Sequence, residues 1–287
     1  MTTVGELNPL PSNPDRRQCA LMLHSIADPC SREEASYYIS PQRFHRFMSR
    51  FRSSGYRTAT IERWLLRDLP PKHVLITFDD AYDDLYEHLL PLVIQHRYTP
   101  VIFLVADRIG ATNLWDQARG LRARNLLTLD QIREMQKNGV EFGSHTLTHP
   151  WLPDLTDRDL QWELRDSKTK LEDLLGVEIS SFAYPYGAVD RRVRSAVAGA
   201  GYKLAFTILP GTNFANDPLL QNRADINDKT SALDFATALR TGYGFSHFLS
   251  TRLHRLEQQL PSRTLRAVAH VTRRLGHHTR RFFSSDQ

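Results

Sequence analysis

The sequence predicts a parallel α/β fold, either a β/α barrel or a doubly wound sheet. Short apolar runs alternate with helix-like segments about seven or eight times along the chain, without internal repeats. Several of these runs, such as Cys19 to Leu23, Val74 to Phe78 and Val101 to Val105, are apolar or β-branched throughout instead of alternating. That is the composition of a strand buried on both faces. The polar residues His24, Asp79, Asp80, His145 and Tyr184 all fall at the C-terminal ends of predicted strands, the end that carries the active site in a β/α barrel.

Taken in order, residues 1–17 read as a loose Pro/Asn leader. A strand over 19–24 ends in His24. Ser40-Pro41 then opens a helix whose stripe is Phe44, Phe47, Met48 and Phe51, and Gly55 stops it. A short strand over 56–60 and a short helix over 61–69 lead into the stretch HVLITFDDAYDD at 73–84. Residues 83–97 are expected to be helical and 100–105 a strand. A polar connection with Trp115 and several arginines has the length of a substrate-side loop. Thr128 starts a helix, Val140 to Gly143 forms a strand running into His145, and 156–175 is a long helix capped by Gly176. Strands over 179–184, 203–207 and, more weakly, 219–224 alternate with helices over 189–200 and 231–239.

The chain has 287 residues with 41% hydrophobic and 24% charged content, enough for a substantial core in a globular protein. Cys19 and Cys30 are too few for a disulfide framework and lack metal-site spacing. Neither a basic start with an apolar core nor an apolar run of about 18 residues occurs, so no signal peptide or membrane span is expected and a cytoplasmic location is. The net charge of +5 is uneven: residues 251–287 hold eight arginines against Glu257 and Asp286, a sum of +6, which leaves −1 for residues 1–250. A nearly neutral body argues against nucleic-acid binding. In the tail, Leu265, Val268, Val271 and Leu275 recur among arginines as in a basic amphipathic helix. Such a tail, with Phe282 and Phe283 as anchors, would suit peripheral contact with the inner face of a membrane and a lipid-linked sugar substrate; a solvated surface helix is the alternative. The expected organisation is therefore a leader over 1–17, a catalytic domain over 18–250 and a basic tail over 251–287.

Adjacent carboxylates at a buried strand end are expensive to desolvate unless a cation or a catalytic task holds them there. A helix N-cap is the plainer use of Asp79 and Asp80. His145 and His149 are four apart, a spacing that would put both imidazoles on one face of a helical turn, and two His with one Asp make an open catalytic zinc set.

Thr77-Phe78-Asp79-Asp80 followed by His145-Thr-Leu-Thr-His149 resembles the polysaccharide deacetylase family, the fourth family of carbohydrate esterases. Phe182-Ala-Tyr-Pro-Tyr-Gly187 is similar to its third motif and Gly201 to Thr207 to the strand that follows, so the resemblance runs from about Cys19 to Thr241. It implies a distorted (β/α) barrel of about seven strands and the hydrolysis of acetyl groups on N-acetylated amino sugars; a catalytically inactive carbohydrate-binding barrel of the same fold is the alternative. It also implies Asp80, His145 and His149 as ligands of a divalent metal, zinc first among the candidates, and Asp79 as general base. The backbone N–H of Tyr186 would serve the oxyanion, with Pro185 and Gly187 shaping the turn. Tyr82, Trp115, Trp151 and Tyr184 could stack on sugar rings, although large aromatics are more often core; Tyr184, Pro185, Tyr186 and Trp115 are the candidate substrate contacts. Leu21-Met-Leu-His24 resembles the first strand of the poly-N-acetylglucosamine deacetylase branch, which makes His24 the candidate acid. Two positions depart from the pattern. Ala183 stands where the family has an arginine that orients the base; Arg223 is the candidate replacement, a plain surface arginine the alternative. Ala81 follows the aspartates where glycine is common, and it strains the turn if φ there is positive.

Overall fold

A computed structural model describes residues 18–213 and 217–245. The leader over 1–17 and the basic tail over 251–287 lie outside the described residues. The strands are β1 (Cys19–Leu23), β2 (Ser25–Ile26), β3 (Tyr38–Ile39), β4 (Arg57–Thr58), β5 (His73–Phe78), β6 (Val101–Leu104), β7 (Glu141–Ser144), β8 (Ser181–Ala183), β9 (Leu204–Phe206) and β10 (Ala224–Asp225). The helices are α1 (Pro41–Ser53), α2 (Ile61–Leu65), α3 (Asp84–His88), α4 (Leu90–His96), α5 (Leu129–Lys137), α6 (Asp157–Leu175), α7 (Arg191–Gly199) and α8 (Ala232–Thr241).

The main sheet runs β10-β1-β5-β6-β7-β8-β9, every pair parallel, with β4 alongside the start of β5. The chain then turns the sheet back on itself. Thr207 and Ala205 exchange backbone bonds with Gln221 and Pro218, while Ala224 and Asp225 of the same segment pair with Leu21 and Met22 of β1. Residues 218–225 thus bridge the two ends of the sheet, giving the distorted barrel. The expected strand over 219–224 survives as this bridge, and only its end is regular.

Alternation along the strands separates two apolar layers. Cys19, Leu21, Leu23, Val74, Ile76 and Phe78 share one large cluster with Phe44, Phe47 and Phe51 of α1 and Leu160, Leu164 and Leu171 of α6. Ala20, Leu75, Val101, Phe103, Ala183 and Phe206 point the other way and fill the interior with Trp64. Gly143 permits this filling, since a Cβ there would come within 2.5 Å of Phe103 and Ser181.

The helix expected over 83–97 is broken between α3 and α4 at Leu89, one residue ahead of the Leu90-Pro91 pair. Proline disfavours helical φ/ψ in the residue before it and withholds a donor, while Leu85, Leu89 and Val93 stay buried. Helix starts follow their sequence signals more closely: Thr128 and Ser231 form capping boxes with Gln131 and Asp234, and Gly176 ends α6 in the left-handed region.

Candidate active site

The C-terminal ends of β1, β5 and β7 bring His24, Asp79, Asp80 and His145 together, and the loop after β7 adds His149. Asp80 Oδ1 lies 3.6 Å from His145 Nε2 and 3.4 Å from His149 Nε2, and the two Nε2 atoms are 3.2 Å apart. All three side chains are buried. The helical turn expected for 145–149 does not form. Thr146 and His149 both take left-handed φ, +71° and +69°, so a tight loop, not a helix face, converges the imidazoles.

That loop is held from below. Glu163 on α6 accepts the backbone N–H groups of Leu147 and Thr148 at 2.8 and 3.0 Å and the Thr148 hydroxyl at 2.5 Å. The Thr146 hydroxyl accepts the N–H of His149 at 2.9 Å. His145 Nδ1 is 2.8 Å from the carbonyl of Ala183, a bond that puts the proton on Nδ1 and leaves the Nε2 lone pair facing Asp80.

The donor set fits a divalent cation. Asp80 Oδ1 is buried with no protein hydrogen-bond partner, and one atom each from Asp80, His145 and His149 fall within 4.8 Å of one another. Burial, then the charges of Asp116 and Asp79, pushes the Asp80 carboxyl well above its usual range. Burial lowers His145 and holds His149 well below the ordinary imidazole value, keeping both lone pairs available. An apolar-shielded carboxylate with two neutral imidazoles is a set that a cation would compensate.

Asp79 is treated differently. Arg223 grips it with two bonds, Nη1 to Oδ1 at 2.6 Å and Nη2 to Oδ2 at 2.7 Å. Arg223 is 0% exposed; its Nε donates to the Thr207 carbonyl at 3.0 Å and its Nη1 also reaches Thr77 Oγ1 at 3.0 Å. Burial opposes ionisation of Asp79, but the Arg223 charge overcomes it and holds the carboxyl below its ordinary value. Arg223 is therefore not a surface residue. It arrives on the bridging segment 218–225, far in sequence from the position of Ala183.

Tyr186 has φ +59° in the turn Pro185–Gly187, and among the described residues its N–H meets no backbone acceptor. Its ring stands edge-on to His149 at 4.6 Å, and Trp115 stacks on His149 at 4.6 Å. Tyr184 is corrected: it is fully buried and its hydroxyl donates to the Leu219 carbonyl at 2.9 Å, so its ring is core and offers a substrate nothing. Pro185 is likewise buried and shapes the turn only. His24 sits 5.7 Å from Tyr37, its Nδ1 buried and unpartnered, and burial pushes it down to about 4. The positive φ feared at Ala81 is present, +61°, directly after +70° at Asp80.

Several residues at the site carried no local sequence signal. Glu163 is one. Asp116 is another, buried, its Oδ2 accepting from the Tyr82 hydroxyl at 2.8 Å and Asn113 Nδ2 at 3.0 Å. Asp225, two residues beyond Arg223, is exposed, and its carboxylate accepts from Asn227 Nδ2 at 2.8 Å. Arg119 stands over the rings of Tyr37 and Tyr186.

Comparison with known proteins places this arrangement. The sequence model of the family described as polysaccharide deacetylase matches residues 67–205. A Bacillus subtilis (strain 168) protein, YxkH, whose name places it among polysaccharide deacetylases, is 30% identical over 196 residues, 67% of this chain and 64% of its own. A poly-beta-1,6-N-acetyl-D-glucosamine N-deacetylase of Staphylococcus aureus (strain N315) is 22% identical over 191 residues, 62% of this chain and 63% of its own. The chain thus spans slightly less than two thirds of the length of these curated relatives. Among solved structures, the Streptococcus pyogenes deacetylase PplD in complex with acetate superposes with a TM-score of 0.66 at 27% identity, over 78% of this chain and 98% of that one.

Proposed function

The chain belongs to the polysaccharide deacetylase family, and from that premise we propose that it is a metal-dependent hydrolase removing acetyl groups from N-acetylated amino sugars of a glycan or lipid-linked precursor. The observation that carries this reading is the pairing of an ionised, arginine-held Asp79 with its neighbour Asp80, whose Oδ1 is buried, unpartnered and faced by two histidines. A divalent cation on Asp80, His145 and His149, with zinc the best match to two imidazoles and a carboxylate, would polarise the acetyl carbonyl and acidify the attacking water.

The chain's own residues account for the remaining work. Asp79 accepts the proton of the attacking water; the Arg223 fork fixes its plane and keeps it ionised at neutral pH. The Tyr186 N–H, aimed by its left-handed turn, is the proposed donor to the developing oxyanion. His24 would pass a proton to the departing amine. With burial holding it at about 4 it rests neutral, so in this reading it carries the proton only during turnover. Trp115 and Tyr186 wall the acetyl group beside His149. Support for an N-acetylglucosamine polymer comes from the Staphylococcus relative, and support for acetate as product from the complex of the Streptococcus protein.

The test is metal analysis combined with acetate release from β-1,6- and β-1,4-linked N-acetylglucosamine oligomers, using the full chain and its Asp79→Asn variant. Bound divalent metal in both proteins with acetate from the unsubstituted chain alone is the expected result. Absence of metal from both proteins sinks the reading.

A further inference from the structure

Above the Asp80–His145–His149 cluster, the connection between β6 and α5 forms a wall in which Arg119, Arg122 and Arg124 are used differently. Arg122 is committed to Glu34 through Nε at 2.7 Å and Nη2 at 2.8 Å, and Arg124 to the half-buried Asp84 at 2.9 Å. The Asn113 Oδ1 accepts the N–H of Arg124 at 2.6 Å, and its Nδ2 ties the loop to Asp116 and Tyr82. The wall is thus pinned from three sides.

Arg119 is not committed in that way. Its side chain is 39% exposed, Nη2 donates to the Tyr37 hydroxyl, and its one carboxylate neighbour among the described residues, Asp116 Oδ1, is 3.8 Å away. The other Asp116 oxygen is engaged by Tyr82 and Asn113. The guanidinium carbon lies 4.9 Å from the Tyr37 ring and 5.2 Å from the Tyr186 ring. Tyr37 contacts His24, and Tyr186 contacts His149, so Arg119 spans the mouth from the proposed acid to the proposed metal ligand. The two ring contacts hold the guanidinium at the mouth of the site while its side chain stays 39% exposed to an incoming ligand. Beside it, Trp151 is 50% exposed and lies 5.7 Å from Tyr186, a free aromatic face next to the cation.

We propose that Arg119 reads an anionic substituent on the glycan, a carboxylate or a phosphate next to the N-acetylated sugar, while Trp151 and Tyr186 carry the sugar face. A guanidinium held over two rings keeps its planar fork for a two-point contact with an oxyanion, and aromatic neighbours exclude the water that would compete for it. This inference rests on the glycan reading above for its substrate but not on turnover. With a neutral polymer the cation keeps only the Tyr37 hydroxyl, the two rings and the 3.8 Å contact to Asp116, and gains no charged partner from the substrate.

The experiment measures binding and kinetics separately. Calorimetry on the full-length Asp79→Asn chain, with and without Arg119→Gln, would use three oligosaccharides of equal length: neutral N-acetylglucosamine, one bearing a carboxylate, and one bearing a phosphate. At least one anionic oligomer is expected to bind roughly tenfold or more tightly than the neutral one, with the advantage falling as salt rises. Arg119→Gln is expected to remove that advantage and leave neutral binding within about twofold. Whichever anionic arm shows the effect identifies the source of the charge. In the chain with Asp79 intact, the same substitution should raise KM for that oligomer and leave kcat nearly unchanged. Equal affinity for neutral and anionic oligomers, or equal weakening of both by Arg119→Gln, overturns the inference. If no oligomer releases acetate but Arg119-dependent binding persists, the hydrolase reading fails and this inference stands.

Discussion

Arg223 and Asp79 meet through two parallel bonds of 2.6 and 2.7 Å across 144 positions of sequence, inside a barrel where neither side chain reaches solvent. The pair couples the last strand of the barrel to the proposed base. Breaking one half leaves the other charge buried, which costs about 3–5 kcal/mol. Arg223→Gln is therefore expected to lower stability by about that much at pH 7, read from urea midpoints. The sign with pH follows from the depressed Asp79 carboxyl. Its contribution is full above the unfolded value of 3.8 and is lost as pH falls through the lower folded value, so the gap between the two proteins should close in strong acid. Arg223→Lys keeps the charge without the fork, and a drop in kcat of about a hundredfold is expected from the misplaced base.

Glu163 should control metal affinity without touching the metal site. Its carboxylate holds the N–H groups of Leu147 and Thr148 and so sets the left-handed loop that presents His149. Glu163→Ala orphans two buried donors, with an expected loss of about 2–4 kcal/mol and about 10- to 100-fold weaker zinc binding in a chelator competition. Glu163→Gln retains an acceptor and should recover most of both. Unchanged zinc affinity in the alanine variant would contradict the assignment.

How legible this was in the sequence depends on the range of the physics. The strands were legible because parallel strands buried on both faces leave solid apolar runs, as in Val74 to Phe78. The Asp79-Asp80 and His145/His149 sets were legible because each is local. The conformation joining the histidines was not. Spacing of four suggests a helix, but left-handed Thr146 and His149 are decided by Glu163, fourteen or more residues away. Arg223 could be named from sequence but not placed, since only closure of the sheet through residues 218–225 carries it to Asp79. Tyr184 could be named from sequence but not assigned to core or site, since the shared cluster with Phe182 and the hydroxyl bond to Leu219 that bury it depend on the folded sheet.

Glu141 offers a stability effect separate from the site. Burial pushes its carboxyl up to about 7, although it accepts the N–H of Ile61 at 2.8 Å. A raised carboxyl means the unfolded chain gives up its proton first, so stability falls as pH rises from the ordinary glutamate value of 4.5 to about 7 and stays low above. Glu141→Gln imitates the protonated form and keeps the acceptor. It should raise Tm at pH 8 by several degrees and leave it nearly unchanged at pH 5. A gain of equal size at both pH values would show that ionisation is not the cause.

Asp80 should trade stability against metal binding. Its Oδ1 is buried, unpartnered and crowded by the charges of Asp116 and Asp79, so the metal-free protein bears a desolvation penalty there. Asp80→Asn removes the charge at nearly constant volume, and the metal-free variant is expected to be at least as stable as the metal-free wild type. Zinc should reverse the order. At a hundred times its dissociation constant, a ligand specific for the folded state adds about 2.7 kcal/mol. Wild type should therefore gain several degrees in Tm on zinc addition, whereas the variant gains little. Metal-free Asp80→Asn melting well below metal-free wild type would mean that Asp80 has a structural partner the geometry does not contain.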